Sequence, residues 1–256
     1  MSEIHPSEQA FAAPCRQLPA LAPLKWVRLG WKDYQRSLRP SLIYGVLIFV
    51  ISASVSLLAW VLGRYVLLVA MLSGFVFVAP LLATGMYSLS RQVQRNETPL
   101  FFRSLKRMRH ALSDSMVFAL ILLIIFLVWV RAGAMVHVFF PADIEHGWLS
   151  TLRFFAIGSA VGSIFAAFIF AASAFSLPMI VDRNVDMVTA CVSSINAVLR
   201  NKKAMLVWVL LIVMLTAFGF ATAGLGLIVV MPLLAFATYH GYLETIDSSS
   251  WPDSPV

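Results

Sequence analysis

Charge is missing from this chain wherever it is most apolar. Six long runs, Ser41–Leu62, Val66–Leu89, Met116–Val130, Phe154–Ile180, Met205–Ala221 and Leu225–Tyr242, contain no Asp, Glu, Lys or Arg. Ionisable residues inside membrane helices usually mark proton relays and ion coupling, so their absence disfavours a pump or an ion-driven transporter. Cysteine is scarce as well. The two present, Cys15 and Cys191, lie far apart and without ligand-type neighbours, which argues against a metal motif. Nor does the chain hold a Gly-rich phosphate loop, His-Glu-x-x-His or Gly-x-Ser-x-Gly. No catalytic residues, cofactor or metal are expected, and an intramembrane enzyme is the least favoured class. His137 and His240 fall at opposite ends of their spans, too far apart to ligate one haem or copper.

What is present is hydrocarbon. Hydrophobic residues make up 60% of the chain and charged ones only 12%, far from the ~25% charge of soluble domains. Most of the six runs reach the ~20 residues that a helix needs to cross a bilayer. The predicted fold is an all-α polytopic membrane protein with six transmembrane helices. Residues 1–23, with Glu3, Glu8 and several prolines, have no apolar run of the kind a secretory signal requires. They are expected to form a disordered tail, as is 246–256; the membrane domain occupies 24–245.

The net charge of +7 is distributed by topology. Sixteen of the nineteen Lys and Arg precede the first run or lie in the second-to-third and fourth-to-fifth connections; Arg64, Arg131 and Arg153 lie on the other side. This bias predicts both termini in the cytoplasm of a bacterial inner membrane. Membrane lipids, anionic ones above all, are then the expected neighbours of the basic residues, rather than nucleic acid.

The chain also reads as one unit written three times. Each pair of spans is preceded by an amphipathic segment expected to lie in the interface. The apolar stripes are Leu24, Val27, Trp31, Tyr34 and Leu38; then Phe101, Leu105, Met108 and Leu112; then Val185, Val188, Val192, Ile195 and Leu199. Arg103, Lys106, Arg107 and His110 are expected to face away from the second stripe. The later span of each pair carries a proline, Pro80, Pro178 or Pro232, which removes a backbone donor and bends the helix. Three kinks at one depth could open a cytoplasmic-side crevice lined by Thr84, Tyr87, Ser176, Thr238 and His240, with Tyr239 beside them. In the fourth span Gly158, Gly162 and Ala166 form a small-residue row that predicts close helix packing, either as the most enclosed helix or as a homodimer face. The polar run Asp182-Arg183-Asn184-Val185-Asp186 reads as the end of that span. Asp182 or Asn184 is expected to cap the next helix, and contact with a partner or lipid headgroup is the functional alternative.

Ser176–Asp186 followed by Ala190 and Ser194, Trp31–Asp33 with Ser41–Gly45, and Gly226–Leu234 resemble a bacterial membrane family, domain of unknown function 2189. The resemblance covers about residues 24–245. It implies an integral membrane protein and, through labels on some members, an association with cytochrome c oxidase. The family's pattern often has Gly-His-Ala-Thr-Trp-His after the last Pro-Leu-Leu. Here the stretch is Ala235–His240 with Phe236 in place of the first histidine, so a cofactor role does not carry over. The expected function is a non-enzymatic accessory or stabilising component of a larger membrane complex, with other integral membrane proteins or a second copy as partner. The alternative is a carrier or lipid-handling protein using the crevice.

Overall fold

The computed structural model describes residues 12–62, 65–110, 112–139 and 148–254. These residues form ten helices: α1 (Ala22–Arg36), α2 (Leu38–Leu62), α3 (Tyr65–Gln94), α4 (Phe101–His110), α5 (Leu112–Phe139), α6 (Trp148–Ser173), α7 (Ser176–Asp182), α8 (Met187–Arg200), α9 (Lys202–Ala221) and α10 (Leu227–Thr245). Five stretches are long and apolar enough to cross a membrane: Leu38–Leu58, Met116–Met135, Ala156–Asp182, Lys202–Ala221 and Leu227–Thr245. The expected second span, Val66–Leu89, falls in α3, where the side chains of 62–79 lie outside the described residues. Leu57, Val61, Ile164, Phe218 and Phe220 are each more than 60% exposed, an outward apolar surface suited to hydrocarbon.

Of the five described candidate spans, the most enclosed is that of α10, a correction to the expectation for the fourth span, of which only the α7 end is fully buried. Helices α1 and α2 pack on α10 so closely that a Cβ at Gly30 would lie 2.7 Å from the Ala237 amide nitrogen, and one at Gly45 would overlap the Ile228 carbonyl. The row in α6 faces outward instead. A Cβ at Gly158 would meet nothing, one at Gly162 only Trp129 at 3.5 Å, and Ala166 is exposed. Small residues permit close approach but do not choose which helix receives it.

The amphipathic segments α1, α4 and α8 are helical, and two of their stripes turn only partly toward the protein, at Tyr34 and Val185. Leu24, Trp31 and Leu38 are 43–50% exposed, whereas Trp26, Gly30, Asp33, Tyr34 and Ser37 are buried. In α8, Val188 and Leu199 are exposed while Ala190, Ser193, Ser194 and Ala197 turn inward. Next to hydrocarbon, an apolar side chain gains little by facing protein, and small polar groups are the ones that need partners.

The fourth span breaks between α6 and α7, just before Pro178. Ser194 of α8 stands in the gap. Its hydroxyl accepts the Phe175 N–H at 3.0 Å and donates to the Ala171 carbonyl at 2.7 Å, replacing the helical bond those groups would otherwise make. Ser194→Ala should strand both groups and cost about 1–3 kcal/mol, with Ser194→Thr keeping most of it. Melting in mild detergent measures this, and equal melting of wild type and Ser194→Ala would show the inserted hydroxyl to be dispensable.

Neither terminal segment is free where it is described, a second correction. The Ala13 N–H donates to Ser193 Oγ at 2.8 Å, Leu18 N–H to Asn201 Oδ1 at 2.8 Å, and Arg16 N–H to the Thr245 carbonyl at 2.8 Å. Asp247 N–H returns to the Pro14 carbonyl at 2.9 Å, so the described parts of the two terminal segments bind each other. Trp251 is 3% exposed. Composition hid this because the docking is made by backbone groups, which carry no residue signature.

Candidate functional site

The polar groups of the bundle gather at its basic end, one to three turns beyond the prolines of α3, α7 and α10. Asp182, 4% exposed, is the centre. Arg91 of α3, 1% exposed, sets Nε 3.0 Å from Asp182 Oδ1 and donates Nη2 to the Asp182 carbonyl at 3.1 Å. The Tyr239 hydroxyl donates to Oδ1 at 3.1 Å and that of Tyr242 to Oδ2 at 3.1 Å. Arg183 Nε stands 3.2 Å from Oδ2. One carboxylate therefore ties α3, α7 and α10 together, with its charge balanced and both oxygens occupied.

The C-terminal segment closes over this centre. Ser254 N–H donates to the Asp182 carbonyl at 3.0 Å, and Asn184 N–H to the Pro252 carbonyl at 2.9 Å. Asp253 bridges Arg95 at 2.8 Å and Arg183 at 2.9 Å. Burial opposes both charges of the latter pair, but each is outweighed. Asp182 and Asp253 hold the Arg183 guanidinium above its ordinary range, and Arg95 and Arg183 hold the Asp253 carboxyl below its own. A depressed carboxyl contributes stability that is present above the unfolded value, near pH 4, and is lost as pH falls through the folded value. Acid should therefore loosen the C-terminal segment below about pH 4. Asp253→Asn should lose the contribution at neutral pH and flatten that acid limb. The carboxylate is 52% exposed, so the effect is small, about 0.2–1 kcal/mol. Melting curves of the two proteins between pH 3 and 7 read it directly.

A second buried pair lies beside the first. Asp33 of α1, 3% exposed, accepts from Gln94 Nε2 at 2.8 Å and Ser90 Oγ at 3.3 Å, and its Oδ2 lies 2.8 Å from His240 Nε2. In the register of the three stripes, Asp33, Arg107 and Ser194 hold corresponding places, and each is a buried polar residue on its interfacial helix. Arg107 was expected to face away from the bundle; it faces inward at 6% exposure.

Of the residues singled out from sequence, Asp182, Arg183 and Tyr239 meet at the centre and His240 joins its neighbour. Tyr87 is buried in bonding reach of Thr238, and Pro80, Pro178 and Pro232 are buried in the helices that converge there. Asp186 does not join. It caps α8, accepting the Thr189 N–H at 3.1 and 3.2 Å, the role expected of Asp182 or Asn184. Sequence reasoning missed Arg91, Asp33 and Gln94. Their polarity at span ends looks like ordinary interfacial placement; the recurrence of polar residues after each proline distinguishes Arg91 and Gln94, and nothing of that kind marks Asp33. Among the described residues no three His, Cys, Asp or Glu come together as a metal site.

No curated protein and no solved structure matches the chain. The segment from α3 to the end of α7, which contains Arg91, Arg107 and Asp182, does have a counterpart. Residues 67–182 match the family model described as predicted integral membrane protein, domain of unknown function 2189, the family that the sequence resembles.

Proposed function

We propose that this protein is a non-enzymatic accessory or stabilising component of a larger membrane complex. Its basic end and both termini face the cytoplasm of a bacterial inner membrane, and it is built from three related helix pairs. The observation that carries this reading is the internal use of the polar residues where the proline-bearing helices converge. A carrier needs such groups in contact with water or solute, yet Thr84, Tyr87, Ser176 and His240 are each at most 9% exposed, and Thr238 is half-buried with its hydroxyl on the Leu234 carbonyl. The two carboxylates there bind arginine, tyrosine, glutamine and histidine of the same chain. A locked core within an apolar outer surface suits a protein that acts by packing beside others. Respiratory complexes are the first candidates, on the labels carried by some family members alone.

Extraction from native membranes in mild detergent, followed by quantitative mass spectrometry and an optical spectrum, tests the proposal. Stoichiometric integral membrane partners are expected, with a haem band if those partners are respiratory. A preparation that runs as the free chain, with no stoichiometric partner, would overturn it.

A further inference from the structure

Among the described residues, Arg107 is the cation with the most enclosed N–H groups left without a partner. Its side chain is 94% shielded, the complement of its 6% exposure, and both Nε and Nη1 are fully enclosed without a hydrogen-bond partner. Its electrostatic neighbours aggravate this, since Arg91 and Arg95 oppose its charge while Glu97 and Tyr239 favour it. Burial first, and Arg91 next, pull its pKa down to about 10, which still leaves a full positive charge at neutral pH. Glu97 is itself engaged by Arg103 at 2.8 Å. Ser88, on the same row of α3 as Arg91 and Arg95, also has a buried hydroxyl without a partner.

Helix α4 is nevertheless held firmly in place. Tyr44 meets Ser104 at 2.8 Å, and the Leu100 N–H donates to Gln92 Oε1 at 3.0 Å. Arg107 is thus presented inward by a fixed helix, beside two further guanidinium groups and outside the candidate membrane spans. A cation in that setting calls for an anion with several acceptor oxygens, and phosphate has the geometry that arginine pairs with best.

We infer that Arg107, flanked by Arg91 and Arg95 on α3, forms a binding site for a phosphate group, supplied by an anionic lipid headgroup or by soluble phosphate. The inference is independent of the proposed role in a complex. An oxygen of the phosphate group accepts the Nε and Nη1 N–H groups that have no partner within the protein. Arg91 and Arg95, already paired with Asp182 and Asp253, then face a compensated Arg107 instead of a bare like charge.

The test uses the full chain in mild detergent. Native mass spectrometry and melting are followed with phosphatidylglycerol, phosphatidylcholine and inorganic phosphate as separate probes. Phosphatidylglycerol retained and stabilising, well above phosphatidylcholine, assigns the site to a lipid headgroup. Stabilisation by inorganic phosphate alone assigns it to the soluble ion. Arg107→Gln should weaken the effective probe by about tenfold or more, while exposed Lys106→Gln leaves it unchanged. Should Arg107→Gln fail to fold, Arg107→Lys decides, because it keeps the charge and loses the planar fork; several-fold weaker binding is expected. The site is refuted if no probe binds the wild type, or if a folded Arg107 variant binds as the wild type does.

Discussion

Asp182→Ala should remove about 3–5 kcal/mol from the folded protein, because it leaves Arg91 buried and charged without its carboxylate. Arg91 is 1% exposed and cannot swing into water when its partner disappears. Tyr239 and Tyr242 lose their acceptor at the same time. A loss of this size corresponds to roughly 10 °C in melting temperature for a chain of this length. Asp182→Asn should fall between, since its amide oxygen still serves one tyrosine and the guanidinium. The double variant Arg91→Gln/Asp182→Asn should recover part of the loss, because it removes both charges together. Additive damage in the double variant would show that the pair is not coupled, and would detach α3 from the centre.

Trp26→Ala should be comparably costly, about 3–5 kcal/mol, and for a different reason. Trp26 is fully buried and lies edge-on to Trp208 at 5.6 Å and to Phe175 at 6.2 Å. Its indole N–H donates to Glu244 Oε2 at 2.7 Å, and Lys25 holds the other oxygen at 2.8 Å. The ring also fills the space above Gly241, where a Cβ would come within 3.0 Å of it. Truncation opens a cavity between α1, α7, α9 and α10 and leaves Glu244 short of a donor. Trp31→Ala is the control. That ring is 43% exposed and stacks only on Tyr34, so its loss should cost below about 1 kcal/mol. Melting in one detergent compares the two; equal losses would place α1 the wrong way round on α10.

The contrast between these tryptophans shows how much of the molecule was legible. Apolar runs without charge announce membrane helices because the bilayer tolerates little else, and five such stretches are in place. Amphipathic spacing likewise identified α1, α4 and α8 as helices. It left open whether their apolar faces meet lipid or the bundle: in α1, Leu24 and Trp31 turn outward while Gly30, Asp33, Tyr34 and Ser37 face the protein. In water the apolar stripe finds the core; against lipid, shape and hydrogen bonding decide.

The polar centre was half legible. The run beginning at Asp182 and the cluster Tyr239, His240 and Tyr242 stood out in sequence, and they do converge. Their partners did not stand out. Arg91 lies 91 residues from Asp182 and Asp33 lies 207 from His240, so no local spacing joins them. Arg91 and Asp33 each read as one more polar residue at a membrane boundary, where such residues are inexpensive. The docked termini were illegible for a related reason, as backbone hydrogen bonds can be made by almost any sequence.

Centrally, the described parts of the proline-bearing helices close around the Asp182 and Asp33 clusters, and the residues expected to line a crevice are packed there instead. Cysteine accessibility tests this packing most directly. Thr84→Cys and Ser176→Cys, each in a Cys15→Ser/Cys191→Ser background, would be treated in native membranes with a membrane-impermeant maleimide applied to either side. The account predicts negligible labelling at both positions, which are 1% and 0% exposed, against ready labelling of an exposed Arg103→Cys control. Rapid labelling of Thr84→Cys or Ser176→Cys would contradict it and point to an open, solute-handling crevice.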